Sequence, residues 1–224
     1  MFVGHFGAGL LFKRAEREVN LGIYFLAAML PDIILWVLVL MGLESIGVPT
    51  NYAVKQYHIF TFPYSHGLTA DIIWSVLFGT FVWKKLAWDH LHAYRDGIAV
   101  GAAVFSHFVL DFLVHIPEMP LLGNASPKIG LGLWNYMHIA LAIELGITIA
   151  GLAVYLWGTR RKVFKRIVIL FFILLLALFT VVEHTMTPKP TTPEALAVGG
   201  LVFTFIVSMV GFWVDGGISL TAET

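Results

Sequence analysis

Six long apolar runs limit what this chain can fold into more than any other feature of its sequence. They cover residues 21 to 43, 63 to 83, 97 to 116, 131 to 157, 166 to 182 and 195 to 214. A helix needs about 20 mainly apolar residues to cross the hydrocarbon core of a bilayer. Backbone groups find no water there, so a chain crosses as helices or as a closed barrel. The runs therefore predict an all-α integral membrane protein with six transmembrane helices.

The composition agrees with a single membrane domain over residues 1 to 224. Hydrophobic residues make up 58% of the chain and charged residues only 12%, whereas soluble domains carry about 25% charged residues. The formal net charge is zero, so no basic surface predicts nucleic acid binding. The chain has no cysteine, which excludes disulfides, thiolate ligands and cysteine nucleophiles. A metal site would have to use nitrogen and oxygen ligands.

The distribution of basic residues predicts how the chain is oriented. Residues 1 to 12 form a short apolar segment that would extend about 18 Å as a helix, so it predicts a half-span at the amino terminus. Its basic residues follow the apolar part, unlike those of a cleaved signal peptide. The successive loops then carry three, one, three, one, five and one Lys or Arg. Because cytoplasmic loops are enriched in these residues, we expect both termini in the cytoplasm and the protein in the inner membrane.

Ionisable side chains inside the first four predicted spans are the candidate functional residues. A charge at the centre of a bilayer costs about 2.5–3.5 kcal/mol even on insertion scales. No Lys or Arg lies in these four spans to compensate the acids, so the acids must be protonated, paired with histidine or neutralised by a bound cation. The nearby histidines favour the cation. The residues are Asp32, His66, Asp71, His107, Asp111, His115, His138 and Glu144.

The third span has the clearest pattern. In SHFVLDFLVH, the residues His107, Asp111 and His115 are spaced four apart and are predicted to share one helix face. Imidazole and carboxylate ligands on one face can chelate one or two divalent ions, and this ligand set favours zinc. The helical rise places Asp32 near the same depth, and His5 in the half-span can approach it.

These residues lie in motifs that resemble a known family. GHFGAG at the start, LPD in the first span, PYSHG at the second and SHFVLDFLVH in the third are together similar to the bacterial membrane-bound metal-dependent hydrolases. That family is itself similar to the zinc-dependent phospholipase C and single-strand nuclease superfamily. The resemblance covers residues 1 to 145. It implies one metal site from Asp32, His66, His107 and Asp111, and a second ion shared by His5 and a bridging Asp111. The spacing on the third span adds His115 as a reserve ligand.

The expected function is hydrolysis of a phosphoester in a lipid or amphiphile that arrives laterally from the bilayer. One or two zinc ions would activate the attacking water. Asp32, as ligand or general base, and Asp111, as bridging ligand, would be the catalytic carboxylates. Residues 1 to 145 would hold the metal, and residues 146 to 224 would enclose the site.

Three other functions are compatible with the same residues. Acids and histidines inside a membrane also mark ion paths, so the chain could be a metal-ion or proton transporter. His66 and His107 could be axial ligands of a haem. The cluster could also serve only to stabilise a structural membrane protein.

Overall fold

A computed structural model describes residues 2–16, 18–86, 92–159, 161–186 and 192–216 as a mostly helical protein. Its α-helices are α1 (Val3–Ala15), α2 (Leu21–Ala28), α3 (Leu30–Leu40), α4 (Tyr52–Lys55), α5 (Leu68–Phe81), α6 (Ala93–Val114), α7 (Met137–Gly158), α8 (Val163–Met186) and α9 (Pro193–Asp215). A π-helical turn, Val82–Leu86, continues α5, and a 3₁₀ turn, Leu133–Tyr136, precedes α7. Two small antiparallel sheets of two strands each lie in the connections between helices. They pair β1 (Ser45–Gly47) with β2 (Ile59–Thr61), and β3 (Met119–Pro120) with β4 (Lys128–Ile129).

The helices confirm the membrane character predicted from the apolar runs. Within the described residues, α6, the segment Leu133–Gly158, α8 and α9 are each long and apolar enough to cross a membrane. Helices α2 and α3 together make a fifth candidate, which is bent by 54°. The count of six spans and the cytoplasmic termini stay predictions. Three basic residues used for the orientation, Arg17, Arg160 and Lys189, lie outside the described residues.

The bend between α2 and α3 has a local cause in the sequence. Pro31 lies in the first turn of α3 and has no amide hydrogen, so a continuous helix would lose a hydrogen bond there. The chain instead ends α2 at Ala28 and begins α3 at Leu30. This places Asp32 in the first turn of a new helix, where the partial positive charge of the helix amino terminus favours a carboxylate.

Helix α1 lies inside the bundle and contacts α2, α6, α7 and α8. All residues from Val3 to Leu10 are buried. The Glu144 side chain on α7 accepts hydrogen bonds from the backbone amides of Phe2 and Gly4, at the start of α1. These amides have no partner within the helix, so Glu144 supplies the acceptor that the first turn lacks. Glu144 is one of the candidate residues named from the sequence, and the structure places its carboxylate at the start of α1.

Two glycines allow α1 and α7 to approach closely. A Cβ atom on Gly7 would lie 2.7 Å from the Cα of Thr148, and one on Gly151 would overlap the backbone of Gly7. Backbone contact of this kind is typical of small residues between membrane helices. It fixes the depth and rotation of α1, and therefore the position of His5.

Substituting Gly151 should loosen this contact. We expect Gly151→Ala to lower the free energy of unfolding by about 1–3 kcal/mol, because the added methyl group must push α1 away. Gly146→Ala is the matched control on the same helix, since nothing lies within 4 Å of its Cβ position. Thermal unfolding in detergent measures both. An equal loss of stability in the two variants would contradict the proposed contact.

Candidate metal centre

The structure brings the predicted ligands from distant parts of the chain to one buried place. His5 comes from α1 and Asp32 from the first turn of α3. His66 lies just before α5, and His107 and Asp111 lie on α6. All are buried except Asp32, whose side chain is 15% exposed. These residues are separated by up to 106 positions in sequence, as between His5 and Asp111, so they meet only in the folded bundle.

Asp111 is at the centre of the cluster. Its Oδ2 atom lies 3.2 Å from Nε2 of His107, 3.4 Å from Nε2 of His115 and 3.5 Å from Nε2 of His66. Its Oδ1 atom lies 3.2 Å from Nε2 of His5. Imidazole nitrogens therefore lie beside both oxygens of Asp111. Its role as a bridge between two ions, which the family resemblance implies, stays a prediction.

Two groups of side chains can hold a metal ion. His66, His107 and Asp111 form one, and His5, Asp32 and His107 form the other. Tetrahedral zinc with nitrogen or oxygen ligands at 2.0–2.1 Å spaces its ligand atoms about 3.3 Å apart. In the first group, the His66 and His107 Nε2 atoms are 3.1 Å apart, and they lie 3.5 and 3.2 Å from Asp111. The spacing therefore fits a single small divalent ion.

Asp32 lies at the edge of this arrangement. Its Oδ1 atom is 3.3 Å from Nε2 of His66 and 3.8 Å from Nε2 of His107. The longer distances and partial exposure leave Asp32 able to ligate an ion or to contact a molecule beside it.

Hydrogen bonds of the histidines determine where their lone pairs point. Nδ1 of His107 lies 2.7 Å from the carbonyl oxygen of Ala28, which can only accept, so this nitrogen carries the proton. Nδ1 of His66 lies 2.8 Å from the Ser65 hydroxyl, which itself donates to Glu44. Since a hydroxyl has one proton, His66 must donate from Nδ1. In the neutral rings, both Nε2 atoms then present lone pairs to each other at 3.1 Å.

Two lone pairs and a carboxylate facing one point require a positive charge between them. Either a metal ion or a second proton on one imidazole can supply it. The outer hydrogen bonds favour the metal, because a histidine that ligates a metal usually donates its other N–H to a carbonyl, carboxylate or similar acceptor. His66 and His107 both follow this pattern, as does His115, whose Nδ1 lies 2.7 Å from Glu118.

His115 reaches the cluster in a way that the helical spacing did not predict. Helix α6 ends at Val114, and His115 has an extended backbone with φ −62° and ψ 142°. Its ring still approaches Asp111 because Glu118 holds Nδ1. Glu118 also accepts the Phe60 amide at 2.8 Å and so ties β2 to this loop.

Sequence reasoning missed Glu44 and Glu118, which hold the ligands in place. Glu44 is buried and accepts the amides of Tyr64 and Ser65 and the Ser65 hydroxyl. Both glutamates lie in irregular segments between the helices, where no periodicity singles them out. The only available signal was an acid placed close to a motif histidine, as Glu118 is to His115.

Besides His115, three residues named from the sequence lie outside the two ligand groups. His138 is exposed on α7, and Glu144 binds the start of α1. Asp71 is fully buried on α5, and neither of its carboxylate oxygens has a hydrogen-bond partner among the described residues. The ligand set is therefore narrower than the set of intramembrane acids and histidines.

A cavity of about 240 Å³ reaches the cluster. Asp32, His66, Asp111 and His115 line part of its wall, and apolar side chains from α3, α8 and α9 form much of the rest. Trp36 and Phe203 are among these apolar residues. The cluster is therefore accessible from a largely hydrophobic space.

Removing a central ligand should abolish metal binding. We expect Asp111→Ala and His107→Ala to lose bound divalent metal, because each removes an atom from the group with zinc-like spacing. Elemental analysis of the purified protein measures the metal directly. His138→Ala is the control, since His138 lies outside both ligand groups. Unchanged metal content in Asp111→Ala would contradict the site.

Loss of a hydrogen bond to a ligand histidine should weaken metal binding less than loss of the ligand itself. We expect Ser65→Ala to weaken metal affinity by about 10–100-fold, because His66 loses the hydroxyl that orients its ring. Competition with a chromophoric chelator gives the affinity. In the control Ser75→Ala, the lost hydroxyl bonds only the backbone carbonyl of Asp71, and affinity should stay within twofold of the parent. Equal affinities in all three proteins would show that Ser65 does not orient His66.

No family model, curated protein or solved structure matches this chain. The resemblance to membrane-bound metal-dependent hydrolases therefore stays a prediction from its motifs. The chemistry of the centre is inferred from the geometry of its own residues.

Proposed function

We propose that the protein is a membrane-embedded metal-dependent hydrolase that cleaves a phosphoester in a lipid or amphiphile. The observation that carries the proposal is a buried His and Asp cluster with metal-ligand spacing that lines part of a largely apolar cavity. A site for a free ion would not need apolar walls of this extent. A substrate with a polar reacting group and a hydrocarbon part would bind both the His and Asp cluster and the apolar wall.

A six-span topology in the inner membrane accompanies this proposal. Helix α5 with its π-helical turn runs from Leu68 to Leu86 and would extend about 28 Å, enough to cross with Lys84 and Lys85 at the headgroups. The ends of α1 and α9 and the residue Arg161 lie together, joined through Asp215. Grouping of basic residues at this end supports a cytoplasmic location for it.

The residues around the ion would have different roles in hydrolysis. Zinc bound here would polarise a phosphoryl oxygen and lower the pKa of a water molecule. Asp32 lines the cavity and is the most exposed carboxylate of the cluster, so it is placed to accept a proton from the attacking water. Asp111 and the histidines, held by hydrogen bonds, would keep the reacting groups correctly positioned and oriented.

The cavity indicates how a substrate would lie. Phe179 on α8 and Phe203 on α9 stack at 5.1 Å and contribute to its wall. At Gly199 on α9, nothing lies within 4 Å of a Cβ position, so this side of the helix leaves space. A hydrocarbon chain between α8 and α9 would place its phosphoester at Asp32 and His66. The substrate would then arrive from the bilayer.

Two other functions receive less support from the geometry. A transporter needs a path across the protein, but Phe6, Leu10 and Phe25 are fully buried in the hydrophobic core and do not line the cavity. Haem ligation by His66 and His107 needs a macrocycle between two nitrogens that lie only 3.1 Å apart, beside Asp111.

Filling the cavity should separate substrate binding from metal binding. We expect Gly199→Leu to keep its zinc but to lose at least tenfold in kcat/KM for long-chain phosphoesters, while short-chain phosphoesters are cleaved at the parent rate. The reason is that the new side chain occupies the space of the hydrocarbon part and not of the ligands. Phosphoester hydrolysis by the zinc-loaded protein in detergent micelles provides the measurement.

Gly146→Leu is the matched control, since it adds the same side chain at an exposed position on α7. Asp111→Ala should lose both zinc and activity. The proposal fails if Asp111→Ala leaves both unchanged, or if the zinc-loaded parent cleaves none of the phosphoesters.

A further inference from the structure

A second cavity lies at the other end of α1 from the metal ligands. Its volume is about 250 Å³, and it is bounded by the last turns of α1, α7 and α9. Lys13 in its wall is eight residues beyond His5, or about 12 Å along the helix. The two cavities share no lining residue. This cavity is therefore a separate site and has no part in the hydrolysis proposed above.

Cations outnumber acids in its wall. Lys13, Arg14 and Arg161 line the cavity together with one carboxylate, Asp215. Asp215 already binds Lys13 at 2.7 Å and Arg161 at 2.9 Å, and it accepts the amide of Leu21 at 3.1 Å. Arg14 has no ion pair within the part of the chain that the structure describes. The wall therefore has a net positive charge, which favours the binding of an anion.

A buried hydroxyl also lacks a partner there. Tyr155 is only 3% exposed, and its hydroxyl makes no hydrogen bond of ordinary distance and angle among the described residues, although Thr159 lies near it. Buried hydroxyls are nearly always hydrogen-bonded in native proteins. Because Tyr155 lines the same cavity as the three cations, its hydroxyl is available to donate to an anion held by them.

Gly158 allows Arg14 to lie across the end of α7. A Cβ atom at this position would overlap the Arg14 side chain. The planar guanidinium is suited to phosphate oxygens, with which it forms two parallel hydrogen bonds. The arrangement therefore favours a phosphate group over a simple halide.

The neighbouring tryptophans place this cavity at the level of lipid headgroups. Trp157, next to Gly158, is 92% exposed, and Trp213 on α9 is half exposed. The ammonium group of Lys165 lies 5.2 Å from the Trp213 ring. Tryptophan is enriched where the hydrocarbon meets the headgroups, and nearby Lys and Arg attract anionic lipids.

We propose that this cavity binds the phosphate group of an anionic lipid headgroup. Arg14 and Arg161 hold the phosphate oxygens, the Tyr155 hydroxyl donates a further hydrogen bond, and Asp215 positions Lys13 and Arg161. Such a lipid would join the ends of α1, α7 and α9.

Binding of short-chain lipids to the purified full-length protein tests the site. Dihexanoyl phosphatidylglycerol should bind at least tenfold more tightly than dihexanoyl phosphatidylcholine in microscale thermophoresis. Arg14→Gln should weaken phosphatidylglycerol binding about tenfold, the usual consequence of losing one hydrogen bond to a charged group. Tyr155→Phe should weaken it by about threefold or more, and its fold should persist because no bonded group is removed.

Lys162→Gln is the charge-matched control, because Lys162 is exposed in the α7–α8 loop and does not line the cavity. It should change affinity less than twofold. Metal content, measured in each variant, reports whether the bundle has folded. Parent-like affinity in both folded variants, Arg14→Gln and Tyr155→Phe, would overturn the proposal. Inorganic phosphate binding without a preference between the two lipids would overturn the assignment to a lipid.

Discussion

The burial of the Asp111 carboxylate among imidazole rings is the constraint on which the rest of the structure depends. Its two oxygens lie within 3.5 Å of nitrogens from His5, His66, His107 and His115. A carboxylate in this surrounding is stable only if positive charge is bound beside it. The bend after α2, the buried α1 and the loops before α5 and after α6 all bring a nitrogen or oxygen to that one point.

The loops next to the helices supply the rigidity of the centre. Glu44 fixes the turn that contains Ser65, and Glu118 joins His115 to β2. Both are buried, so each carboxylate has to be fully engaged to offset its lost hydration. The helices therefore bring the ligands near one another, whereas these two loop acids determine the direction in which the rings point. The cluster therefore combines side chains on apolar helices with hydrogen-bond partners in the connecting loops.

The sequence indicated which His and Asp side chains lie together better than it indicated the bounds of the helices that carry them. An HxxxD pair on one helix face is visible without a structure, because residues four apart must be neighbours. The third predicted span, 97 to 116, matches α6 closely, whereas the second, 63 to 83, begins in a loop and only becomes helical at Leu68. Apolar content alone cannot separate a buried loop from a helix. The roles of Glu44 and Glu118 depend on tertiary contacts that no local spacing records.

The hydrogen bonds from Glu144 to the start of α1 have a consequence for the order of assembly. During synthesis, α1 emerges before α7, and the carboxylate that accepts its terminal amides follows 140 or more residues later. Before α7 is made, the Glu144 carboxylate cannot accept these amides, and Gly7 cannot pack against Gly151. His5 can therefore reach its final place only after α7 has been synthesised, and the His and Asp cluster is completed when α7 packs against α1.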